Sequence, residues 1–208
     1  MNYNKLMEEE ISKIKETSKV PNILLHSCCA PCSSHVIDTL TPYFNITILY
    51  YNPNIEPYEE YLHRKEEEIR FINSYPNINK LDIIDCDYDN KEFHEISKGL
   101  EQVKEGGARC LKCYNLRMEY TASKAKELNY DYFATTLTVS PLKNSTILNK
   151  IGERLSTKYN IKYLYSDFKK KNGYLHSIQL AKEYNLYRQD YCGCIYSKLE
   201  REKQKSDK

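Results

Sequence analysis

The chain has 208 residues, enough for one domain with a buried core. Hydrophobic residues make up 40% and charged residues 29%, which excludes a disordered chain, and no apolar run approaches the roughly 18–20 residues of a bilayer-spanning helix. A net charge of +2 leaves any nucleic-acid role to a local patch.

The polar, acidic stretch Met1–Glu10 does not read as a secretory signal, so a cytoplasmic protein is expected. Thiols stay reduced there, and eight cysteines read as metal ligands or redox pairs rather than disulfides.

Residues 5–17 carry Leu6, Met7, Ile11 and Ile14 at helical spacing, an N-terminal helix within 1–19. Residues 22–27 read as the first strand, followed by His26-Ser27-Cys28-Cys29-Ala30-Pro31-Cys32. A helix is expected from Ser33, taken as its N-cap, to about Leu40, stopped by Thr41-Pro42. Phe44–Tyr51 is β-branched and aromatic, a second strand ending at the turn Asn52-Pro53-Asn54.

A long helix follows from Pro57 to Ser74, then a strand from Leu81 to Cys86 and a helix from Lys91 to Leu100. Gly106-Gly107 punctuates the chain before Arg109-Cys110. Helix is expected at Cys113–Leu128, strand at Tyr130–Leu137, helix at Asn144–Lys158, strand at Ile161–Tyr165 and helix at Ser177–Tyr184. Residues 199–208 form a charged tail beyond a catalytic core at 20–198.

Strands alternating with helices predict a single α/β domain, a parallel sheet with helices on both faces. Such sheets bind ligands beyond the carboxyl ends of their strands. The cysteine cluster follows strand one, Thr136–Pro141 follows strand four and Ser166-Asp167 follows strand five, so all three are expected at one edge.

Seven of the eight cysteines fall into three groups, and Cys86 reads as a small apolar residue at a strand end. Cys110-x-x-Cys113 lets two thiolates reach one ion or one face of a cluster, although redox pairs share that spacing. Cys28 and Cys29 are adjacent and diverge in extended backbone, so they suit two neighbouring metals. Cys192-Gly193-Cys194 suits a strained, labile disulfide or a two-thiolate clamp. Seven thiols exceed what one zinc needs, whereas an iron–sulfur cluster takes four and leaves three for a second metal or a redox pair. Lys169-Lys170-Lys171-Asn172-Gly173-Tyr174, with Arg188, is the one basic patch, and a solvated loop is its plain alternative.

Taken together, these residues resemble the epoxyqueuosine reductases of the QueH type, over about Asn22–Ser197. The resemblance rests on His26-Ser27-Cys28-Cys29-Ala30-Pro31, on Tyr51-Asn52-Pro53-Asn54-Ile55 with Glu60-Tyr61 and Arg64, and on Arg109-Cys110-x-x-Cys113-Tyr114-x-x-Arg117. Thr135-Thr136-Leu137, Ser140-Pro141, Gly173-Tyr174 and Tyr187-Arg188-Gln189-x-Tyr191-Cys192-Gly193-Cys194 continue it in order.

It implies a nucleotide α-hydrolase-like (HUP/Rossmann-like) fold and an oxidoreductase. The expected reaction removes the epoxide oxygen of epoxyqueuosine at the wobble position of tRNA, with an unidentified electron donor and no membrane. A [4Fe–4S] cluster with an adjacent mononuclear iron is implied, Cys28, Cys29, Cys110 and Cys113 being cluster ligands. Cys192 and Cys194 become a redox pair or ligands to the neighbouring metal, and Cys32 stands where the family often has an aspartate. Tyr191, His26 or Asp167 are the expected proton sources, and Tyr174, Tyr187, Arg188 and Lys169–Lys171, Lys170 among them, the expected RNA contacts. Two other readings stay open: a zinc-stabilised tRNA- or nucleotide-binding protein, and a thiol–disulfide oxidoreductase using Cys192 and Cys194. Cysteines where nucleotide-binding relatives carry a Gly/Ser-rich phosphate loop argue against ATP use.

Overall fold

A computed structural model describes residues 1–206. Its elements run α1 (Tyr3–Lys15), β1 (Asn22–His26), α2 (Ala30–Leu40), β2 (Asn45–Tyr50), α3 (Tyr58–Ser74), β3 (Leu81–Asp85) and α4 (Lys91–Ser97). Then follow α5 (Ala108–Glu127), β4 (Tyr132–Thr135), α6 (Ser145–Tyr159), β5 (Lys162–Tyr163), α7 (Gly173–Glu183) and α8 (Ile195–Ser206).

All five strands are parallel, in the order β3-β2-β1-β4-β5. The side chains of each central strand alternate between two cores, as the two-residue strand period requires. Ile23, Leu25, Ile46, Ile48, Tyr132 and Ala134 face a core with α1, α2, α3 and α7. Leu24, Leu49 and Phe133 face the other, filled by Tyr114, Met118 and Ala122 of α5 and by Leu148 and Leu155 of α6. The expected single α/β domain with helices on both faces is therefore what the chain forms.

Strand order reverses between β1 and β4, whose carboxyl ends meet where His26 pairs with Thr135. Chains leaving adjacent strand ends toward opposite faces open a crevice there. The cysteine cluster leaves β1 at that point, and a single 3-10 turn, Thr136–Val139, leaves β4.

Several boundaries differ from expectation. Helix α2 starts at Ala30, so Cys29 rather than Ser33 is its N-cap, in extended backbone. Pro31 sits in the first turn, where its missing N–H is not needed, and Ser33 Oγ donates to the Ala30 carbonyl inside the helix. Helix α5 starts at Ala108, five residues before the expected Cys113, which puts Cys110 and Cys113 one turn apart on the same helix. Helix α7 starts at Gly173 and includes Tyr174. The expected strand Tyr130–Leu137 shortens to Tyr132–Thr135, because the Thr135 hydroxyl accepts from the Leu137 N–H and turns the chain into the 3-10 turn. The charged tail from residue 199 continues α8 to Ser206, and its last two residues lie outside the described residues.

Candidate metal centre and active-site cavity

Strand β1 delivers Cys28 and Cys29, and the first turn of α2 adds Cys32. The three sulfurs lie within 4.8 Å of one another, with Cys28 Sγ 3.7 Å from Cys29 Sγ. Gln189 Nε2 donates to Cys29 Sγ over 3.0 Å, tying the triad to the segment before Tyr191. Hydrogen bonds from the Cys29 and Cys32 thiols hold Cys28 well below the usual thiol value, while Cys29, as donor to Cys28, is pushed up to about 12. Of the three, Cys28 is thus the one whose thiolate form is favoured, at the expense of Cys29 and Cys32. A cation would deprotonate all three.

The other four thiols form a second set. Cys110 and Cys113 come from the start of α5, and Cys192 and Cys194 from the loop entering α8. Cys113 and Cys194 pack together against Phe93, and charge on Cys192 and Cys194 acts on both Cys110 and Cys113. Burial pushes Cys113 up to about 12 and raises Cys110, whose sulfur accepts from the Gly106 N–H over 3.2 Å. All eight cysteines are free thiols, and Cys86, half-buried just after β3, has the Tyr120 side chain beside it and is not part of the close triad.

Buried cations link the two sets. Arg117 is 1% exposed and reaches only the Asn52 side chain over 3.5 Å and the Cys113 carbonyl over 3.4 Å, with Nη2 unpartnered. Lys143, 9% exposed, donates to Cys192 Sγ over 3.3 Å. Burial opposes the charge on each, yet both values are raised by the acidic groups around them: Cys113, Cys192, Cys28 and Tyr114 for Arg117, and Cys192, Tyr114 and Cys28 for Lys143. Neither has a carboxylate hydrogen-bond partner. Buried charge needs compensation, and here the groups that face it are cysteine thiols and the Tyr114 hydroxyl. A negatively charged metal–thiolate group fits that need, and the donor set of thiols without carboxylate fits soft iron–sulfur chemistry.

Arg64 holds the Cys192 loop from the other side. It is 1% exposed, pairs with Glu60 at 2.7 Å, and donates to the carbonyls of Cys192 over 3.1 Å and Tyr191 over 3.4 Å. Glu68 lies on the same helix, fully buried beside Ser33 and Ser27, with neither carboxylate oxygen hydrogen-bonded. Burial pushes its carboxyl up to about 8, so it is a neutral acid at pH 7.

A cavity of about 330 Å³ opens on the site. Cys28, Cys32 and Cys192 line it with Lys143 and Arg117, and Tyr174, Arg188 and Tyr191 join its wall. Of the expected proton sources, Tyr191 reaches the cavity, but its hydroxyl donates to the Glu56 carbonyl over 2.8 Å. His26 is fully buried against Thr135 and held down to about 3 by burial, hence neutral. Asp167 pairs with Lys169 at 2.9 Å and lines a different depression with Lys170 and Lys171. Of the expected RNA contacts, Tyr174 and Arg188 line the thiol cavity, whereas Tyr187 stacks on His63 with ring centroids 4.1 Å apart. Lys169 is tied to the carbonyls of Thr138 and Lys143, and Lys171 pairs with Glu8. Lys143 and Glu68 were missed by sequence reasoning, since nothing local to either residue reveals its burial.

The family model described as "Epoxyqueuosine reductase QueH" matches residues 23–200. The epoxyqueuosine reductase QueH of Staphylococcus epidermidis is 41% identical over 203 residues, covering 96% of this chain and 85% of that protein. That of Streptococcus pyogenes is 41% identical over 199 residues, 95% and 78%. That of Thermotoga maritima is 35% identical over 185 residues, 86% and 91%.

Proposed function

The chain belongs to the epoxyqueuosine reductase QueH family and is an oxidoreductase, and from that premise we propose that it converts epoxyqueuosine to queuosine at the wobble position of a tRNA. The reaction takes two electrons and two protons, breaks both C–O bonds of the epoxide and releases the oxygen as water. The setting is the cytoplasm, with an electron donor of the cell still to be identified. One observation carries the reading: three thiols lie within 4.8 Å at the sheet's switch point, and two of them, Cys28 and Cys32, line a cavity that also holds Cys192 and a buried lysine.

The two thiol sets support two metal groups side by side, a [4Fe–4S] cluster and a mononuclear iron. Bound there, they would supply single electrons and a Lewis acid toward the epoxide oxygen. The resemblance assigns Cys28, Cys29, Cys110 and Cys113 to the cluster, which draws on both sets. Cys110, Cys113, Cys192 and Cys194 are the alternative four, with Cys32 completing a triad on the single iron. Iron and sulfide content of Cys29→Ala against Cys192→Ala distinguishes the two, since only loss of a cluster ligand removes the sulfide.

The remaining roles fall to ordinary side chains. Lys143 Nζ is a buried cation facing the cavity, able to stabilise negative charge on the departing oxygen and to give it a proton. It takes that role ahead of Tyr191, whose hydroxyl is engaged, and Asp167, which is paired elsewhere. A splayed wobble base needs stacking and a cation near its phosphates, which Tyr174 and Arg188 offer from the cavity wall. Lys170, exposed outside the cavity, is left for backbone contact.

The test is anaerobic turnover. The purified protein, with a chemical reductant and tRNA carrying epoxyqueuosine, is expected to yield queuosine in digests of that tRNA and to absorb broadly near 400 nm. Cys110→Ala and Cys192→Ala are expected to abolish product. Full activity in either variant, or a colourless protein with stoichiometric zinc, overturns the reading.

A further inference from the structure

We propose that His35 and Asp38 of α2 and His176 of α7 form a site for a divalent transition ion of the zinc class, separate from the thiols. The ligating atoms of the three side chains lie within 4.8 Å of one another. His35 Nδ1 and His176 Nδ1 are 3.0 Å apart, close to the roughly 3.3 Å separating two nitrogens on one tetrahedral zinc. Asp38 Oδ2 is 3.7 Å from His176 Nδ1, too far for a hydrogen bond and right for a third ligand across an ion.

Outer contacts orient the set, as ligand side chains require. The Phe168 carbonyl oxygen and Nε2 of the His35 ring both lie beside Gly173, which places Nε2 on that side of the ring. Nδ1 is then the nitrogen that faces His176. Asp38 Oδ1 accepts from Tyr75 Oη, which leaves Oδ2 for the site. Burial, with His176 nearby, lowers the His35 value. Space is made by Gly173, since a Cβ there would come 1.8 Å from the Phe168 carbonyl oxygen and 2.4 Å from His35 Nε2.

Two imidazoles and a carboxylate are a borderline donor set, unlike the all-sulfur set one turn earlier on α2, so the two sites sort different metals. His176 and Asp38 are 38% and 40% exposed, which gives the ion an entry path and leaves water to complete its coordination. A metal here clamps α2, whose first turn carries Cys32, to α7, whose first turn puts Tyr174 and Ser177 into the cavity wall. The site stands independently of the proposed reductase activity.

The experiment adds zinc to anaerobically purified protein, its thiols left as isolated, and counts retained zinc after desalting. Wild type is expected to retain about one more zinc per chain than His176→Ala or Asp38→Asn. Saturating zinc should raise the unfolding midpoint of wild type alone, by roughly 5 °C. Thiol-bound zinc is common to all three proteins and cancels. Both substitutions sit at part-exposed positions, so the variants fold, which far-UV circular dichroism checks. Equal zinc retention in wild type and His176→Ala, with no difference in midpoint shift, leaves only a hydrogen-bonded histidine pair and overturns the site.

Discussion

Glu68 shows what a carboxyl group becomes when it is given neither water nor a cation. It is fully buried without a hydrogen-bond partner, and burial raises its value from 4.5 to about 8. The folded chain holds a proton there that the unfolded chain releases, so this residue's contribution favours folding below 4.5 and is lost as pH rises toward 8. His26 works in the opposite sense: lowered from 6.5 to about 3, it favours folding above 6.5 and is lost as pH falls toward 3. Comparing wild type with Glu68→Gln isolates the first. Between pH 6 and 8 wild type should lose about 2–3 kcal/mol relative to the variant in urea unfolding. A constant difference across that range would mean Glu68 is already ionised. Lys143 belongs to the same scale, because its charge is kept by Cys192, Tyr114 and Cys28 with no carboxylate beside it. Lys143→Met should cut turnover by about 10²–10⁴-fold with little change in tRNA affinity, measured by single-turnover kinetics and a binding titration. The thiols were legible in the sequence because spacing marks them. Glu68, Lys143 and His35 were not, since each gains its character from segments far along the chain.

At the scale of elements, the two revised readings that bear on the thiols concern helix starts. The reading placed α2 from Ser33 and α5 from Cys113, because proline, glycine and clustered cysteines look like loop. The chain instead uses Pro31 inside a first turn and begins α5 directly after Gly107, so Cys32, Cys110 and Cys113 are all mounted on helices. Side chains on a helix keep fixed spacing, which a metal centre needs. The Cys192–Cys194 loop lacks that support and is held by Gly193 and Arg64 instead. Gly193 has φ +134, and a Cβ there would lie 3.1 Å from both Arg64 Nη1 and Ile55 Cγ1. Gly193→Ala should therefore cost about 1–3 kcal/mol in urea unfolding and lower bound iron by pushing Arg64 off the Cys192 carbonyl. Unchanged stability and iron content would show that the loop re-forms around the methyl group.

For the whole molecule, alternation of strand and helix was enough to predict a parallel sheet covered on both faces. It could not give the order β3-β2-β1-β4-β5, because periodicity reports which residues are buried and says nothing of which strands are neighbours. That order makes the carboxyl ends of β1 and β4 adjacent, and so decides where the site is. The site consequently depends on a core at some distance from it. Phe133 is fully buried in the layer beneath α5 and α6, its ring 5.1 Å from that of Tyr163. Phe133→Ala should destabilise the fold by about 3–5 kcal/mol, read from the urea midpoint, and lower metal content in step with the unfolded fraction. Metal lost from a variant of wild-type stability would instead mean that β4 positions the site directly.

The sulfurs of the two sets are recruited from Cys28 at one extreme to Cys194 at the other. During synthesis the early cysteines must therefore wait for the late ones. At ordinary elongation rates that interval is on the order of ten seconds. Throughout it Cys28, Cys29 and Cys32 have no Gln189 and no Cys192 loop over them, and an oxidant could join any two. Assembly of the proposed metal centre would thus belong after translation, with the nascent chain relying on its surroundings for protection that the finished fold later provides for itself.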